Sequence, residues 1–203
     1  MPLNTDSRPV GTLRKRLREE TARAILDSAE RAIGDEGLQT ARMENIAAGA
    51  GVSVGTLYNH FEDRNALVQA LFDSRAARLR ELLVETLRAV DGRPASEQVG
   101  AMLRAVRSHA REHGRFFTAL MAEHQGPSAL RPPTAARAFL SARATELISR
   151  GIAGGEFRED PHGVFPDALQ ALARLVLART LEGHASDDEV AALAELFVRG
   201  VSR

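Results

Sequence analysis

The chain has neither cysteine nor tryptophan among its 203 residues. Without thiols there is no disulfide framework and no thiolate zinc site. Lysine is nearly missing as well: Lys15 is the single one, and arginine carries the remaining positive charge. No sign of charge dominates, because 27 Lys+Arg balance 27 Asp+Glu. That balance excludes a protein that coats nucleic acid by bulk positive charge, while leaving room for a local basic patch. No apolar run approaches the roughly 18 residues of a membrane span, and the first residues lack the apolar segment of a secretory signal, so the expected location is cytoplasmic. A serine nucleophile elbow, a phosphate-binding glycine loop and paired catalytic carboxylates are also missing. The sequence therefore gives no reason to expect an enzyme, and it assigns no catalytic residue, cofactor or resident metal.

What is present is a spacing over residues 43–64. Met43, Ile46, Ala47 and Ala50 recur at i, i+3, i+4 and i+7, one face of a short amphipathic helix. Gly51 can take the left-handed conformation that ends a helix, and Ser53 is a good N-cap for a second helix over 54–60. Val54, Leu57 and Phe61 then face inward. Two short helices joined by a glycine-containing turn form a helix-turn-helix, whose second helix fits the DNA major groove. Ser53, Thr56, Tyr58, Asn59 and His60 are outward hydrogen-bonding side chains able to reach phosphates or base edges. Beside Val54, the bare Gly55 lets such a group approach the backbone. Two helices in any bundle also need a glycine turn, so plain packing is the competing reading.

The run Ile46-Ala47-x-x-Ala50-Gly51-Val52-Ser53-x-Gly55-x-Leu57-Tyr58-x-His60-Phe61-x-Asp63-Arg64-x-x-Leu67 resembles the DNA-binding signature of the TetR family of bacterial transcriptional regulators. The resemblance covers the N-terminal third, with a weaker echo in Gly151-x-x-Gly154-Gly155-Glu156-Phe157-Arg158. It implies an all-α homodimer that binds a double-stranded DNA operator through a three-helix N-terminal domain and a small effector through a larger C-terminal one. One position departs from the pattern. The family usually places threonine or serine four residues before the isoleucine, where this chain has Arg42. Either Thr40 caps the helix one turn early, or Arg42 takes over the phosphate contact as a charge.

Along the chain, residues 1–18 read as a flexible basic arm: Arg8, Arg14, Lys15, Arg16 and Arg18 face only Asp6. Such an arm can add salt-sensitive affinity for DNA or merely solubilise. The DNA-binding domain is expected over 19–65, with a first helix over 19–36, and the effector and dimerisation domain over 66–203. Asp63 is a natural N-cap for a long helix reaching residue 90. Arg64 in its first turn opposes the helix dipole, which suits a phosphate partner. Gly114 is expected to separate a helix over 95–113 from a short one, and Asp160-Pro161 to open a later one. Nine helices result. Residues 168–178 are apolar almost all round, and a Ser186–Glu189 capping box opens the last helix. These two helices are the expected dimer interface, through Leu169, Leu172, Val176, Arg179, Leu193 and Phe197.

Met102, Phe116, Phe117, Leu120, Met121, His124 and Phe139 form the candidate ligand set, since effector pockets are mostly apolar with few polar groups. Ordinary core is the alternative for each apolar member. His109 and His113 stand at i, i+4 with His124 beyond, a spacing that two imidazoles could offer a metal, although surface or pocket-edge histidines are the plainer reading. The expected function is a ligand-responsive DNA-binding regulator, a repressor released by a small, largely apolar effector. The rivals are an all-helical dimeric enzyme or carrier that ignores DNA, and a metal-sensing regulator using those histidines.

Overall fold

A computed structural model of the chain describes residues 10–123 and 134–203. Among the described residues it is all-α, with eight helices: α1 (Val10–Glu36), α2 (Met43–Gly49), α3 (Val54–His60), α4 (Arg64–Ala89), α5 (Ala95–Glu123), α6 (Thr134–Ala153), α7 (Phe165–Leu181) and α8 (Asp187–Val201). None of these is long and apolar enough to cross a membrane. The chain divides into two compact units, one ending at Leu71 and the other running Phe72–Arg203. That boundary falls inside α4, a few residues beyond the division at 65 drawn from the sequence.

In the first unit, Ile25, Ala29 and Ile33 of α1 are buried with Met43, Ile46 and Ala47 of α2 and Leu57 of α3. The contact between α1 and α2 is unusually close. Ser28 Oγ donates to the Ile46 carbonyl at 2.8 Å, and a Cβ at Gly49 would overlap that same Oγ. Gly49 is therefore glycine for space, which no periodicity argument indicates. α1 also begins nine residues before the expected start, so residues 10–18 of the expected flexible arm are helical. Arginine, lysine and leucine are good helix formers, and Lys15 pairs with Glu19 at 3.9 Å. Leu13 and Leu17 on this segment stay 60% and 53% exposed, so burial does not create it. Arg8 and Asp6 of that arm lie outside the described residues.

In the second unit, α5 packs against α6, α7 and α8. It is one helix through Gly114, where two helices were expected. A glycine costs a helix interior about 1 kcal/mol relative to alanine, but the buried stripe of Val99, Met102, Val106, Ala110, His113 and Phe117 runs across it without a break. Packing on that stripe outweighs the local penalty. The start of α5 is held by Glu156, whose carboxylate accepts from Ala95 N at 2.8 Å and from Ser96 N at 3.3 Å. Phe157 beside it is fully buried, and its chain pairs antiparallel with Ser202. The glycine-rich echo around residues 151–158 thus has a structural purpose.

α7 starts at Phe165, later than Asp160-Pro161 suggests. Asp160 still serves as its cap from outside, accepting Val164 N at 3.0 Å and Phe165 N at 2.9 Å, while Pro166 occupies the first turn. The cap of α8 is as expected on one side: Ser186 Oγ accepts from Glu189 N at 3.1 Å. The Glu189 carboxylate does not return to the cap but pairs with Arg179 of α7.

In a single chain the expected dimer residues are placed unevenly. Leu169 and Val176 are fully buried in the core of a single chain, and Leu172, Leu193 and Phe197 pack half-buried against that core. Arg179 is committed to Glu189. Exposed apolar side chains include Ala168, Ala171 and Leu175 on one stripe of α7, with Val164 at its N-cap, and Ala191, Ala192 and Leu196 on α8. α5 covers one side of this nearly all-apolar α7.

Candidate DNA-reading and ligand sites

The turn between α2 and α3 is built by backbone. Val52 N donates to Ala47 O at 3.0 Å and Gly51 N to Ala48 O at 3.0 Å, the paired bonds of a Schellman ending, with Gly51 at φ +71°. Ser53 follows as the N-cap of α3, its Oγ accepting from Thr56 N at 3.0 Å. The Ser53 and Thr56 hydroxyls also bond each other at 2.9 Å. Both side chains are thus partly occupied in fixing the helix start. Leu57 is fully buried, whereas Tyr58 is 47% exposed and Ser53, Gly55 and Asn59 are exposed beside it. Val54, Thr56, His60 and Phe61 are half-buried. A Cβ at Gly55 would meet nothing closer than Ser53 Oγ at 3.8 Å, so the surface over the first turn is open.

Arg64 is tied to backbone within the chain. Its Nη1 donates to the Leu38 carbonyl at 2.7 Å and to that of Gln39 at 3.3 Å, tying the start of α4 to the segment between α1 and α2. The preceding Asp63 caps α4, its carboxylate accepting from Ala66 N at 2.7 Å. A cation in the first turn is tolerated because orphan carbonyls of another segment receive it. At α2 the N-cap residue is Arg42, and its side chain makes no capping hydrogen bond. Thr40, exposed two residues earlier, is not the cap. Arg42 and Lys15 are both exposed.

The second unit holds a cavity of about 170 Å³. Phe72, Ala76 and Leu79 of α4, Met102, Val106 and Phe117 of α5, Phe139 and Leu140 of α6 and Ala173 and Leu177 of α7 form its apolar wall. Its polar lining is Arg80, His109, Gln170 and Arg174. Of the expected set, Met102, Phe117 and Phe139 line it. Phe116 does not: it is fully buried, its ring tilted against that of Phe117 at 5.3 Å between centroids. The side chains of Leu120 and Met121, and all of His124, lie outside the described residues. His109 and His113 are buried rather than at the surface, with ring centroids 4.7 Å apart. Among the described residues no group of three or more His, Cys, Asp or Glu is placed to hold a metal ion. Arg80 and Arg174 are among the lining residues absent from the expected set, because a charged residue on an amphipathic helix reads as its solvent side.

A short recognition helix held by a Schellman turn and a serine cap, with polar side chains outward, defines a helix-turn-helix DNA-binding domain. Residues 25–71 match the family model of bacterial regulatory proteins, tetR family. Among curated relatives it is similar to the HTH-type transcriptional regulator BetI of Klebsiella pneumoniae (strain 342), 31% identical over 81 residues, which is 40% of this chain and 42% of that protein. The match thus spans less than half the length of these relatives. Among solved structures, a Rhodococcus sp. protein described as a candidate TetR-family transcriptional regulator is 25% identical with a TM-score of 0.70, covering 91% of this chain and 100% of that one. The transcriptional regulator FadR of Bacillus subtilis, solved in complex with stearoyl-CoA, shares the fold at 18% identity and TM-score 0.70, over 88% of this chain and 98% of that one.

Proposed function

We propose that this protein is a homodimeric, ligand-responsive transcriptional regulator that represses from a two-fold symmetric operator and releases it when a small molecule fills the cavity of the second unit. The observation carrying the proposal is the outward face of α3, where Tyr58 and Asn59 stand exposed beside an uncovered first turn at Gly55. Tyr58 and His60 take phosphates, and Asn59 and Thr56 face base edges. Arg42 and Lys15 supply salt-sensitive phosphate contacts from α2 and α1.

Two copies join through the exposed stripe of α7 and Leu196 of α8, placing two recognition helices in successive major grooves about 34 to 36 Å apart. The ligand acts through α4, which begins in the first unit at Arg64 and supplies Phe72, Ala76 and Leu79 to the cavity. Release requires the ligand to favour the dimer state that binds DNA poorly, and DNA then weakens the ligand by the same factor.

The test compares operator affinity of Tyr58→Phe and Asn59→Ala with wild type. Both side chains are exposed, so melting temperature should stay within the error of measurement. Each variant should bind about five- to a hundredfold more weakly, ~1–3 kcal/mol per good contact, with Asn59→Ala also relaxing preference among operator sequences. Wild-type affinity in both variants would move the DNA-reading surface off α3.

A further inference from the structure

The cavity is apolar along most of its wall, yet its charged lining has one sign. Arg80 and Arg174, from α4 and α7, both border it, and no aspartate or glutamate does. Both arginines are exposed rather than buried in the wall, so their charged ends remain in water and cost nothing in desolvation while the cavity is empty. Among the described residues, neither makes an ion pair or hydrogen bond with a side chain of this chain. Three other arginines of the unit are paired: Arg107 with Asp187, Arg150 with Asp91 and Gln98, Arg143 with Glu146. Two cations on the lining of an apolar chamber are thus left without an anion from the described residues of the protein. Gln170, lining the same space, is neutral, and its amide nitrogen donates to Pro166 O and Asp167 Oδ1.

On the reading that this cavity holds the effector, we propose that the effector is an amphiphilic anion: an unbranched or flat apolar body lying among Leu79, Met102, Phe117, Phe139 and Leu177, and one carboxylate, sulfate or phosphate end bridged by Arg80 and Arg174. A guanidinium meets such a group with paired, directional N–H bonds that are stronger than neutral ones. A neutral ligand of the same body forgoes them. The expectation of a largely apolar effector is kept for its body and revised at one end, because residues 80 and 174 are far apart in sequence and share no local cluster.

The test uses the full chain and four probes with one common body: decanoate, decyl sulfate, 1-decanol and decyltrimethylammonium, each titrated calorimetrically. Wild type should bind decanoate or decyl sulfate, or both, about tenfold or more tighter than decanol, and the cationic probe weakest. Which of the two anions is tighter identifies the end group. Arg80→Gln combined with Arg174→Gln should remove the anion advantage while leaving decanol affinity unchanged, and Arg80→Glu with Arg174→Glu should turn preference toward the cationic probe. Because both positions are exposed, unchanged circular dichroism and melting are expected for these variants. Equal binding of decanol and the anions by wild type overturns the proposal, as does an anion advantage that survives loss of both arginines, or no binding by any probe. The regulatory reading is tested separately by adding the bound probe to a protein–operator complex. Arginine-dependent anion binding that leaves DNA affinity untouched upholds the ligand class and sinks the proposed role in release.

Discussion

Replacing Gly151 by alanine should destabilise the second unit by several kcal/mol, although the change adds one methyl group. Gly151 lies in the last turn of α6, and a Cβ built there would fall inside the ring of Phe157, with Phe157 Cγ at 2.9 Å. The ring cannot withdraw easily. Phe157 is fully buried, its backbone N–H and that of Glu156 both donate to Gly151 O at 3.0 and 2.9 Å, and its strand-like pairing with Ser202 fixes the other side. Overpacking of a tight core costs about 1–3 kcal/mol and sometimes more, while deleting a buried phenylalanine costs about 3–5 kcal/mol. Moving the ring also disturbs Glu156, the cap of α5. In urea unfolding, Gly151→Ala and Phe157→Ala should each lower stability strongly. The double variant should be far less destabilised than their sum, since the methyl has room once the ring is gone. Additive losses, or a Gly151→Ala loss below about 0.5 kcal/mol, the range of ordinary surface changes, would show that the segment relaxes freely.

The second large effect is on assembly. Leu175 and Leu196 are 44% and 69% exposed on α7 and α8. Leu175→Glu with Leu196→Glu should therefore leave one chain folded while placing a charge in each half of the proposed interface. Sedimentation should give a monomer with unchanged helical circular dichroism. Operator affinity should fall about a thousandfold or more, toward the non-specific level, because a monomer reaches one half-site. Val176→Asp is the informative contrast: its position is fully buried within one chain, so it should lose folding rather than dimerisation. A folded double-glutamate variant that still sediments as a dimer would place the interface elsewhere.

These two cases also mark what could be read from residues alone. The helix-turn-helix was legible because its determinants are local: Gly51 for a positive φ, Ser53 and Asp63 for caps, and Leu57 on the inward face all act within a few residues of themselves. The same holds for Ser186 at α8. What could not be read depends on partners distant in sequence. Gly49 and Gly151 are glycines for the sake of Ser28 Oγ and the Phe157 ring. Arg64 meets carbonyls of Leu38 and Gln39, which no helix-dipole argument supplies. α7 is apolar on so much of its surface that hydropathy cannot say which side α5 will cover. Gly114 misled for the opposite reason, since a local signal for a break was overruled by a continuous buried stripe on either side of it. Of the cavity lining, Met102, Phe117 and Phe139 follow from apolar composition, but Arg80 and Arg174 belong to it only through the separate placement of α4 and α7.

Footprinting the protein on the DNA flanking its own gene tests the central claim most directly. A two-fold symmetric protected site is predicted, with half-sites one helical turn apart or a multiple of it, whose protection fades with rising salt and is lost in the double-glutamate variant. Absence of any sequence-specific protection down to low salt, from protein that is folded and dimeric, would contradict it.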